Sequence, residues 1–482
     1  MGMEVDGEYT TAEFCVSDES LIEDNCIEQV QKLTNHPAFT NPIKMMPDAH
    51  YGPGAPIGFS MELGAKIVPN IVGLDVGCGM AAANIGSKLP LENNDRETKI
   101  RNAVPMGSNT HDYDSAPHLI NEFPFERANE VFKDFNQQYR SKFGEEVTPI
   151  EFEFSGYDGE YFKSLCKRVL RGQRQNMGYV IKSAGTLGGG NHFIEISKSD
   201  IAGDYWIVIH TGSRYLGKSV SEYWQNKATE TREMEAIRNA LTDTYTEYIK
   251  FDPQTVSDHD LFEWVTGGKG ESYIKKHEIR NDFTEDDIDT VFKELTAVTS
   301  IADTRESDLD YLTENESHGY LIDMLFAQQY AQWNRELIID AILDALDVEA
   351  TDRLQSIHNY IDFDDMIVRK GATPARDGER LIIPFNMADG AVIAQGKGNM
   401  EYNQTAPHGA GRRMSRRKAK DSIDIDEFET SMNGIYSESV TEETIDESPM
   451  AYKSVDGIQE SMKGTVEILE TLTPVHSIKA LD

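Results

Sequence analysis

Two side chains that could bind a metal ion lie three positions apart in the sequence GLDVGCG, residues Gly73–Gly79. They are Asp75 and Cys78, and the three glycines around them allow the backbone to turn tightly. A carboxylate oxygen beside a thiolate suits a divalent transition ion better than calcium or magnesium. Glycine turns with one small buried cysteine are also common structural features. The loop alone therefore leaves both interpretations open.

Three histidines offer further ligands, because each lies in or beside a turn that contains glycine or asparagine near an apolar strand. They are His192, His210 and His358. Neutral imidazole is the commonest protein ligand for transition metals. With Asp75 and Cys78 they make five potential ligands, enough for two ions that share the thiolate. Two ions about 4 Å apart would suit the attacking and leaving oxygens of a phosphoryl transfer.

His408 is a candidate of another kind, because glycines flank it and Arg412 and Arg413 follow it. A histidine in this setting could attack phosphorus while the arginines neutralise phosphate charge. The chain contains no GxxxxGK[ST] motif, so a nucleotide must be held in another way. The backbone N–H groups of the Gly188–Asn191 loop are a reasonable phosphate cradle.

The composition limits the partners of this chain. Its 83 acidic and 46 basic residues give a net charge of −37, which argues against an extended nucleic-acid surface. Six positive charges are nevertheless concentrated between Arg412 and Lys420. This segment is either a docking site for a negatively charged partner or a solvated helix face.

The chain has no long apolar window, and its N-terminus lacks the features of a signal peptide. Its four widely spaced cysteines do not form a disulfide framework. We therefore expect a cytoplasmic protein without a membrane partner.

The elements that must position these residues can be read from apolar patterns. Residues 205–209 predict a buried strand that ends on His210, and residues 318–346 predict one or two core helices. The segment Met46–Gly58, which contains Asp48 and His50, is rich in proline and glycine and predicts a winding loop that is structural or lines a site. We expect a single large domain over residues 1–482.

Two stretches of the chain read as helical or variable insertions in that domain. They are residues 108–180, which are polar with helical periodicity in places, and residues 220–316, which are strongly acidic and weakly apolar.

Taken together, the motifs resemble the RtcB family of GTP-dependent RNA-splicing ligases. The matching pieces occur in the family's order and cover most of the chain outside the insertions. They are PDAHYGPGAPIG (Pro47–Gly58), GLDVGCG (Gly73–Gly79), VPMG (Val104–Gly107), GTLGGGNHFIE (Gly185–Glu195), IHTGSRYLG (Ile209–Gly217), AQQYAQWNR (Ala327–Arg335), HNY (His358–Tyr360), RKGAT (Arg369–Thr373), HGAGR (His408–Arg412) and IKA (Ile478–Ala480).

The resemblance implies an α+β fold, a single large domain with a metal-centred cleft and acidic helical insertions. It implies two Mn²⁺ ions, with Cys78 bridging them, Asp75 and His192 on one ion, and His210 and His358 on the other. It also implies GTP-dependent joining of an RNA 3′-phosphate or 2′,3′-cyclic phosphate to a 5′-hydroxyl, in tRNA splicing or RNA repair, with archease as a possible partner.

The same resemblance implies that His408 attacks GTP to form a covalent histidine–GMP. Nucleotide contacts are implied at Asn191, Phe193, Glu195, Asn386, His408, Gly409, Ala410, Gly411, Arg412 and Lys479. The Arg412–Lys420 cluster would then be a track for RNA phosphates.

One motif departs from the family pattern. Where the family usually has PGSMGT followed by SYV, this chain has Pro384-Phe385-Asn386-Met387-Ala388-Asp389 and then Ala391-Val392-Ile393. A carboxylate at Asp389 near a triphosphate would repel it unless a metal intervenes. The alternative function is therefore a diverged relative that guanylylates or processes RNA 3′-phosphate ends without efficient sealing.

Overall fold

The computed structural model describes residues 3–114, 119–243, 245–265, 273–301 and 306–481. The chain divides into two compact units. The first unit comprises Met1–Tyr223 and Thr313–Asp482, and the second comprises Trp224–Leu312. All the candidate site residues belong to the first unit.

Strands and helices are both present, as the α+β prediction requires. The strands are β1 (Met3–Asp6), β2 (Thr11–Phe14), β3 (Ile43–His50), β4 (Ile57–Glu62), β5 (Gly79–Asn84), β6 (Phe193–Ser199), β7 (Tyr205–Thr211), β8 (Asp352–Ile357), β9 (Asn359–Asp362), β10 (Ile367–Lys370), β11 (Ala372–Pro374), β12 (Arg380–Asn386), β13 (Gly390–Gly396), β14 (Thr405–Pro407) and β15 (Val466–Ile478). The α-helices are α1 (Asp24–Thr34), α2 (Pro69–Val72), α3 (Asn93–Ala103), α4 (Leu119–Glu122), α5 (Phe125–Phe143), α6 (Gly159–Val169), α7 (Met177–Lys182), α8 (Arg214–Asp243), α9 (Asp258–Val265), α10 (Lys276–Asp282), α11 (Glu285–Ala297), α12 (Glu314–Leu346), α13 (Arg416–Ser422), α14 (Ile425–Ser431) and α15 (Val455–Met462).

A seven-stranded antiparallel sheet in the order β12-β13-β15-β6-β7-β5-β8 is the framework of the first unit. Its central strands are apolar on both faces, because side chains alternate between two cores. On β7, Ile207 and Ile209 enter one core, and Trp206 and Val208 enter the other. The predicted strand that ends at His210 is confirmed and runs one residue further.

The register of this sheet brings the candidate ligands to one edge. Gly79, the first residue of β5, pairs with Thr211 at the end of β7 and with Ile357 at the end of β8. On the other side of β7, His210 pairs with Phe193, the first residue of β6. Cys78, His192 and His358 each adjoin one of these paired residues and therefore lie at the same edge.

A six-stranded sheet in the order β1-β2-β3-β4-β10-β9 and the two-stranded pair β11-β14 complete the framework around the site. His358 connects β8 of the first sheet to β9 of the second. The prediction of a winding loop over Met46–Gly58 was wrong for its first part, because Met46–His50 belongs to β3. Proline at position 47 is accommodated where the β3–β4 ladder is interrupted between Met45 and His50.

Residues 318–346, for which one or two core helices were predicted, belong to the single helix α12, and this helix anchors two loops of the site. Its buried Asn334 accepts hydrogen bonds from the backbone N–H groups of Gly185 (2.8 Å) and Thr186 (3.2 Å). The same amide donates to the carbonyls of Thr186 (3.3 Å) and Gly212 (3.1 Å). One side chain thus joins the loop before His192 to the loop after His210.

The second unit contains the helical part of the predicted 220–316 insertion. Its described helices surround an apolar core of its own, which includes Met234, Ile237, Leu261 and Leu295. The other predicted segment, 108–180, contains α4, α5, α6 and the start of α7. The boundaries of these insertions stay a prediction. Within the described part of the chain, no helix is both long and apolar enough to cross a membrane.

We expect Asn334→Ala to lower the free energy of unfolding by about 3 kcal/mol, because it leaves several buried backbone groups without partners. Gln332→Ala is the matched control on the same helix, since that amide bonds only a partly buried carboxylate of Glu336. The control should change the free energy by less than about 0.5 kcal/mol. Urea denaturation of both variants measures this difference, and equal effects would contradict the anchoring role.

Candidate metal centre and histidine nucleophile

The five predicted ligands form one cluster centred on Cys78. Its Sγ lies 3.2 Å from Nε2 of His210 and 3.6 Å from Nε2 of His192. Nε2 of His192 is 2.9 Å from Oδ2 of Asp75, and Nε2 of His210 is 3.2 Å from Nε2 of His358. Cys78 and the three histidines are buried, whereas the Asp75 side chain is 35% exposed.

The cluster divides into two sets of three ligand atoms that share the sulfur. One set is Cys78, His210 and His358, and the other is Asp75, Cys78 and His192. In each set the ligand atoms lie within 4.8 Å of one another. A bridging thiolate, neutral imidazoles and one carboxylate form a donor set that suits divalent transition ions. The residues present therefore fit a metal centre.

Hydrogen bonds to backbone carbonyls orient two of the imidazoles. Nδ1 of His192 donates to the carbonyl of Leu187 (2.9 Å), and Nδ1 of His210 donates to that of Asn191 (3.2 Å). A carbonyl only accepts, so the proton must be on Nδ1 and the lone pair on Nε2 must face the cluster. These lone pairs repel one another, and a cation bound between the two Nε2 atoms would remove that repulsion.

Burial sets the charge states of the cluster. It lowers the pKa of His210 to about 3, with a further contribution from His192, and it lowers the pKa of His358 well below its ordinary value. Both rings are therefore neutral at physiological pH, which is the form that binds metals. Burial and the neighbouring Asp75 raise the pKa of the Cys78 thiol. A divalent ion would supply the positive charge that the thiolate requires.

The buried guanidinium of Arg335 binds the backbone of two loops that carry candidate ligands. Nη1 of Arg335, on α12, donates to the carbonyls of Gly77 (2.7 Å) and Thr211 (3.1 Å). These carbonyls directly precede Cys78 and directly follow His210. Gly212, the next residue, must be glycine because a Cβ there would collide with the carboxylate of Asp75. Arg335 therefore fixes the spacing of two ligand loops and places positive charge near the thiol.

His408 lies beside this cluster and is held by a buried carboxylate. Its ring centroid is 4.8 Å from that of His358, and its Nδ1 donates to Oδ2 of Asp48 at 2.7 Å. Asp48 is fully buried and also accepts the backbone N–H of His408 (3.2 Å). This pairing keeps the proton on Nδ1, so Nε2 carries the lone pair. Gly411, with φ of +72°, lets the loop after His408 approach the backbone of Asp48.

These groups open onto one cavity of about 860 Å³. Every residue implied as a nucleotide contact lines it, namely Asn191, Phe193, Glu195, Asn386, His408, Gly409, Ala410, Gly411, Arg412 and Lys479. Four metal-ligand candidates line it as well, Asp75, Cys78, His210 and His358, while His192 lies behind Asp75. The structure thus brings all the predicted site residues together.

Several cavity residues were not expected from the sequence. Glu447 and Tyr452 lie in an acidic part of the chain to which the motifs assign no role, and Glu23 and Asn25 lie at the start of α1. A proline with a Tyr-Lys pair at positions 449 to 453 was the available signal, since such residues interrupt a solvated acidic helix. His50, in the segment for which a structural and a site-lining role were both left open, lines the cavity, and its Nδ1 donates to the carbonyl of Asp48 (2.9 Å).

The basic segment 412–420 is used in two ways. Arg412, which is partly buried, and Arg416, whose side chain is 44% exposed, both pair with Glu447, and Arg416 also pairs with Asp446 (2.7 Å). Arg413, Arg417 and Lys418 are exposed as well. Only part of the cluster therefore matches a solvated helix face.

The unusual 384–391 segment forms part of the cavity wall at Phe385, Asn386 and Met387. Asp389 is exposed, and its carboxylate accepts a hydrogen bond from the Asn386 amide (2.6 Å). Asp389 does not line the cavity as the structure describes it. The added carboxylate is thus directed at a neighbouring amide.

A Cys, His and Asp cluster that could hold a metal thus lies beside a histidine that is paired to a buried aspartate. The chain belongs to the RtcB family, whose model, described as tRNA-splicing ligase RtcB, matches residues 29–259 and 276–480.

Named relatives extend over nearly the whole chain. The RNA-splicing ligase RtcB of Escherichia coli K12 is 26% identical over 481 residues, which cover 95% of each protein. The tRNA-splicing ligase RtcB of Nanoarchaeum equitans is 24% identical over 96% of this chain and 93% of its own length. That of Aeropyrum pernix is 23% identical over 90% of this chain and 84% of its own.

We expect Cys78→Ala to weaken binding of Co²⁺ by more than about a hundredfold, because both ligand sets lose their shared donor. Cys166→Ala is the matched control, since Cys166 is also buried but lies on α6 outside the site. Titration of each protein with Co²⁺, followed by visible absorption, measures the affinity. Unchanged binding in Cys78→Ala would exclude the thiolate as a ligand.

Proposed function

We propose that this chain is an RNA ligase that uses GTP and Mn²⁺ to join RNA 3′-phosphate or 2′,3′-cyclic phosphate ends to 5′-hydroxyl ends, in tRNA splicing or RNA repair. The observation on which the proposal rests is the placement of His408, oriented by Asp48, beside the Cys78 cluster. Membership of the RtcB family and the names of its relatives support RNA as the substrate.

The first step of the proposed reaction is attack by Nε2 of His408 on the α-phosphorus of GTP. The N–P bond forms, the bond from Pα to the bridging oxygen breaks, and pyrophosphate leaves. The ring becomes positively charged as the bond forms, and the Asp48 carboxylate stabilises that charge through its hydrogen bond to Nδ1. Arg412 and Lys479, which line the same cavity, would bind phosphate oxygens or the guanine base.

Asp75, Cys78, His192, His210 and His358 would hold the two metal ions. Bound there, the ions would supply Lewis-acid stabilisation of phosphate charge. The neutral imidazoles and the carbonyl-bound Nδ1 protons keep the ligand lone pairs directed at the centre.

The later steps transfer the guanylyl group to RNA and then seal the strands. A 3′-phosphate oxygen would attack the phosphorus of histidine–GMP, which releases His408 and forms an RNA–pp–G end; a cyclic phosphate must first be opened by water. The 5′-hydroxyl would then attack the RNA phosphorus, lose its proton and displace GMP. The exposed cations Arg413, Arg417 and Lys418 would bind the RNA backbone near the cavity.

One observation favours a second candidate function. The cavity is lined by Phe385 and Asn386, where the family usually has the smaller residues glycine and serine. A relative with this wall could guanylylate or process RNA 3′-phosphate ends without efficient sealing.

We expect incubation with α-labelled GTP and Mn²⁺ to label the protein, and His408→Ala to remove the label. Asp48→Asn should slow labelling by about a hundredfold or more, because the ring loses the anion that fixes its tautomer. Asp364→Asn, at an exposed aspartate outside the cavity, is the control and should label at the wild-type rate. Labelling that persists in His408→Ala would refute the assignment of the nucleophile.

A second experiment separates the two candidate functions. RNA with a 2′,3′-cyclic phosphate is mixed with a 5′-hydroxyl strand, GTP and Mn²⁺, and the products are resolved on a denaturing gel. Ligation predicts a joined strand, whereas the second candidate predicts guanylylated or opened 3′ ends that accumulate without joining. His408→Ala should abolish guanylylated and joined products in either case.

A further inference from the structure

Glu447 is a buried carboxylate that lines the cavity. Neither the family motifs quoted above nor the proposed mechanism gives it a role. It ends the 3₁₀ turn Glu442–Glu447, and its side chain is 5% exposed. Four side chains bond to its two oxygens. Arg412 (3.4 Å) and Arg416 reach Oε1, and Lys479 (3.2 Å) and the Tyr452 hydroxyl (2.8 Å) reach Oε2.

These partners come from separate parts of the first unit. Arg412 and Arg416 follow the His408 loop, whereas Lys479 directly follows the last residue of β15. The Lys479 ammonium also lies 3.5 Å from the carbonyl of Asn191 and 5.7 Å from the ring centroid of Phe193. Glu447 thus connects the loop of the nucleophile to the lysine on the opposite segment of the cavity wall.

The stretch that carries Glu447 is itself fastened to the nucleophile loop. The backbone N–H of Lys453 donates to the carbonyl of Gly411 (3.0 Å), and that of Arg413 donates to the carbonyl of Ala451 (3.0 Å). The Lys453 ammonium donates to the carbonyl of Ala49, next to Asp48. A shift of this stretch would therefore move groups on both sides of His408.

Charge favours the ionised form of Glu447. Burial opposes ionisation, but Lys479, Arg416 and Arg412 outweigh it and lower the pKa of Glu447 to about 2. The adjacent Asp446 pairs with Arg416 and with Lys420 (3.4 Å). Two carboxylates thus face four cations, so the group keeps a positive excess for a polyphosphate while each cation has a fixed position.

We propose that Glu447 is a positioning residue for nucleotide transfer: its carboxylate, through direct bonds to Arg412 and Lys479, fixes the two cations at the places where they contact the bound nucleotide. The inference rests on the proposed function, because it concerns the same cavity and the same nucleotide. A positioning role and a role in charge balance predict opposite effects on nucleotide binding when the carboxylate is removed. With charge balance alone, loss of the negative charge would strengthen nucleotide binding; with positioning, it would weaken binding.

The test compares Glu447→Gln with Asp446→Asn in the full chain. Each variant removes one carboxylate charge from the same turn and the same basic segment, but only Glu447 bonds to Lys479 and Tyr452. We expect Glu447→Gln to raise KM for GTP in histidine labelling by roughly tenfold or more, since charge-assisted hydrogen bonds to two nucleotide contacts are lost. Asp446→Asn should change that KM far less than Glu447→Gln, because the Asp446 carboxylate pairs with Arg416 and Lys420 rather than with the two nucleotide contacts.

Two further measurements distinguish positioning from charge balance and from a merely structural role. Glu447→Asp retains the charge but shortens the side chain, so positioning predicts a raised KM, whereas charge balance predicts wild-type behaviour. This variant decides the question if Glu447→Gln does not fold. A merely structural role would lower the fraction of protein that is labelled and leave KM unchanged.

A lowered or unchanged KM in Glu447→Gln, or wild-type behaviour of Glu447→Asp, would overturn the inference. GTP binding to the same variants by equilibrium dialysis with Mn²⁺ tests Glu447 independently of catalysis. If the wild-type protein forms no histidine adduct, the proposed function fails, and weaker GTP binding by Glu447→Gln alone would still support the positioning role.

Discussion

The sulfur of Cys78 lies within 4.8 Å of candidate ligand atoms from three other chain segments, and the fold of the first unit holds these segments together. The register of β5, β7 and β8 brings the segments to one sheet edge. Asn334 and Arg335 of α12 then bind the backbone of the loops that hold them. These are hydrogen bonds to backbone groups in a buried region. The positions of the candidate metal ligands therefore depend on the fold more than on the contacts of their own side chains.

Electrostatics divide the cavity into two regions. Around Cys78 the imidazoles of His210 and His358 are neutral and the thiol is buried, so the region favours a cation. Around Glu447 four cations meet two carboxylates, so the region favours an anion such as a polyphosphate. His408 belongs to both, since its ring faces His358 and its loop leads into Arg412. A nucleotide that spans the two regions would place its α-phosphorus near this histidine.

Much of the site was predictable from the chain. Asp75, Cys78 and the three histidines stand in glycine or asparagine turns beside apolar strands, and the structure brings them together. The strand before His210 and the core helix at 318–346 are where apolar periodicity placed them. The Met46–His50 strand was missed because proline at position 47 argues against a sheet, whereas a local break in the β3–β4 ladder accommodates it. The sequence left the role of Asp48 open and gave no indication of a role for Glu447, because an isolated carboxylate in an acidic chain is not part of a periodic pattern.

The sequence by itself determined which residue types were available, the α+β class and the family, since motif order and local periodicity are properties of the chain. The tertiary structure alone decided which carboxylates lie at the candidate site. Asp48 lies 360 positions from His408, and Glu447 lies 32 positions from Lys479. The Cys78 loop, ambiguous as a glycine turn, is part of a candidate ligand set because the sheet register places three histidines around it. Such pairings depend on distances across the folded core, which no local pattern of residues encodes.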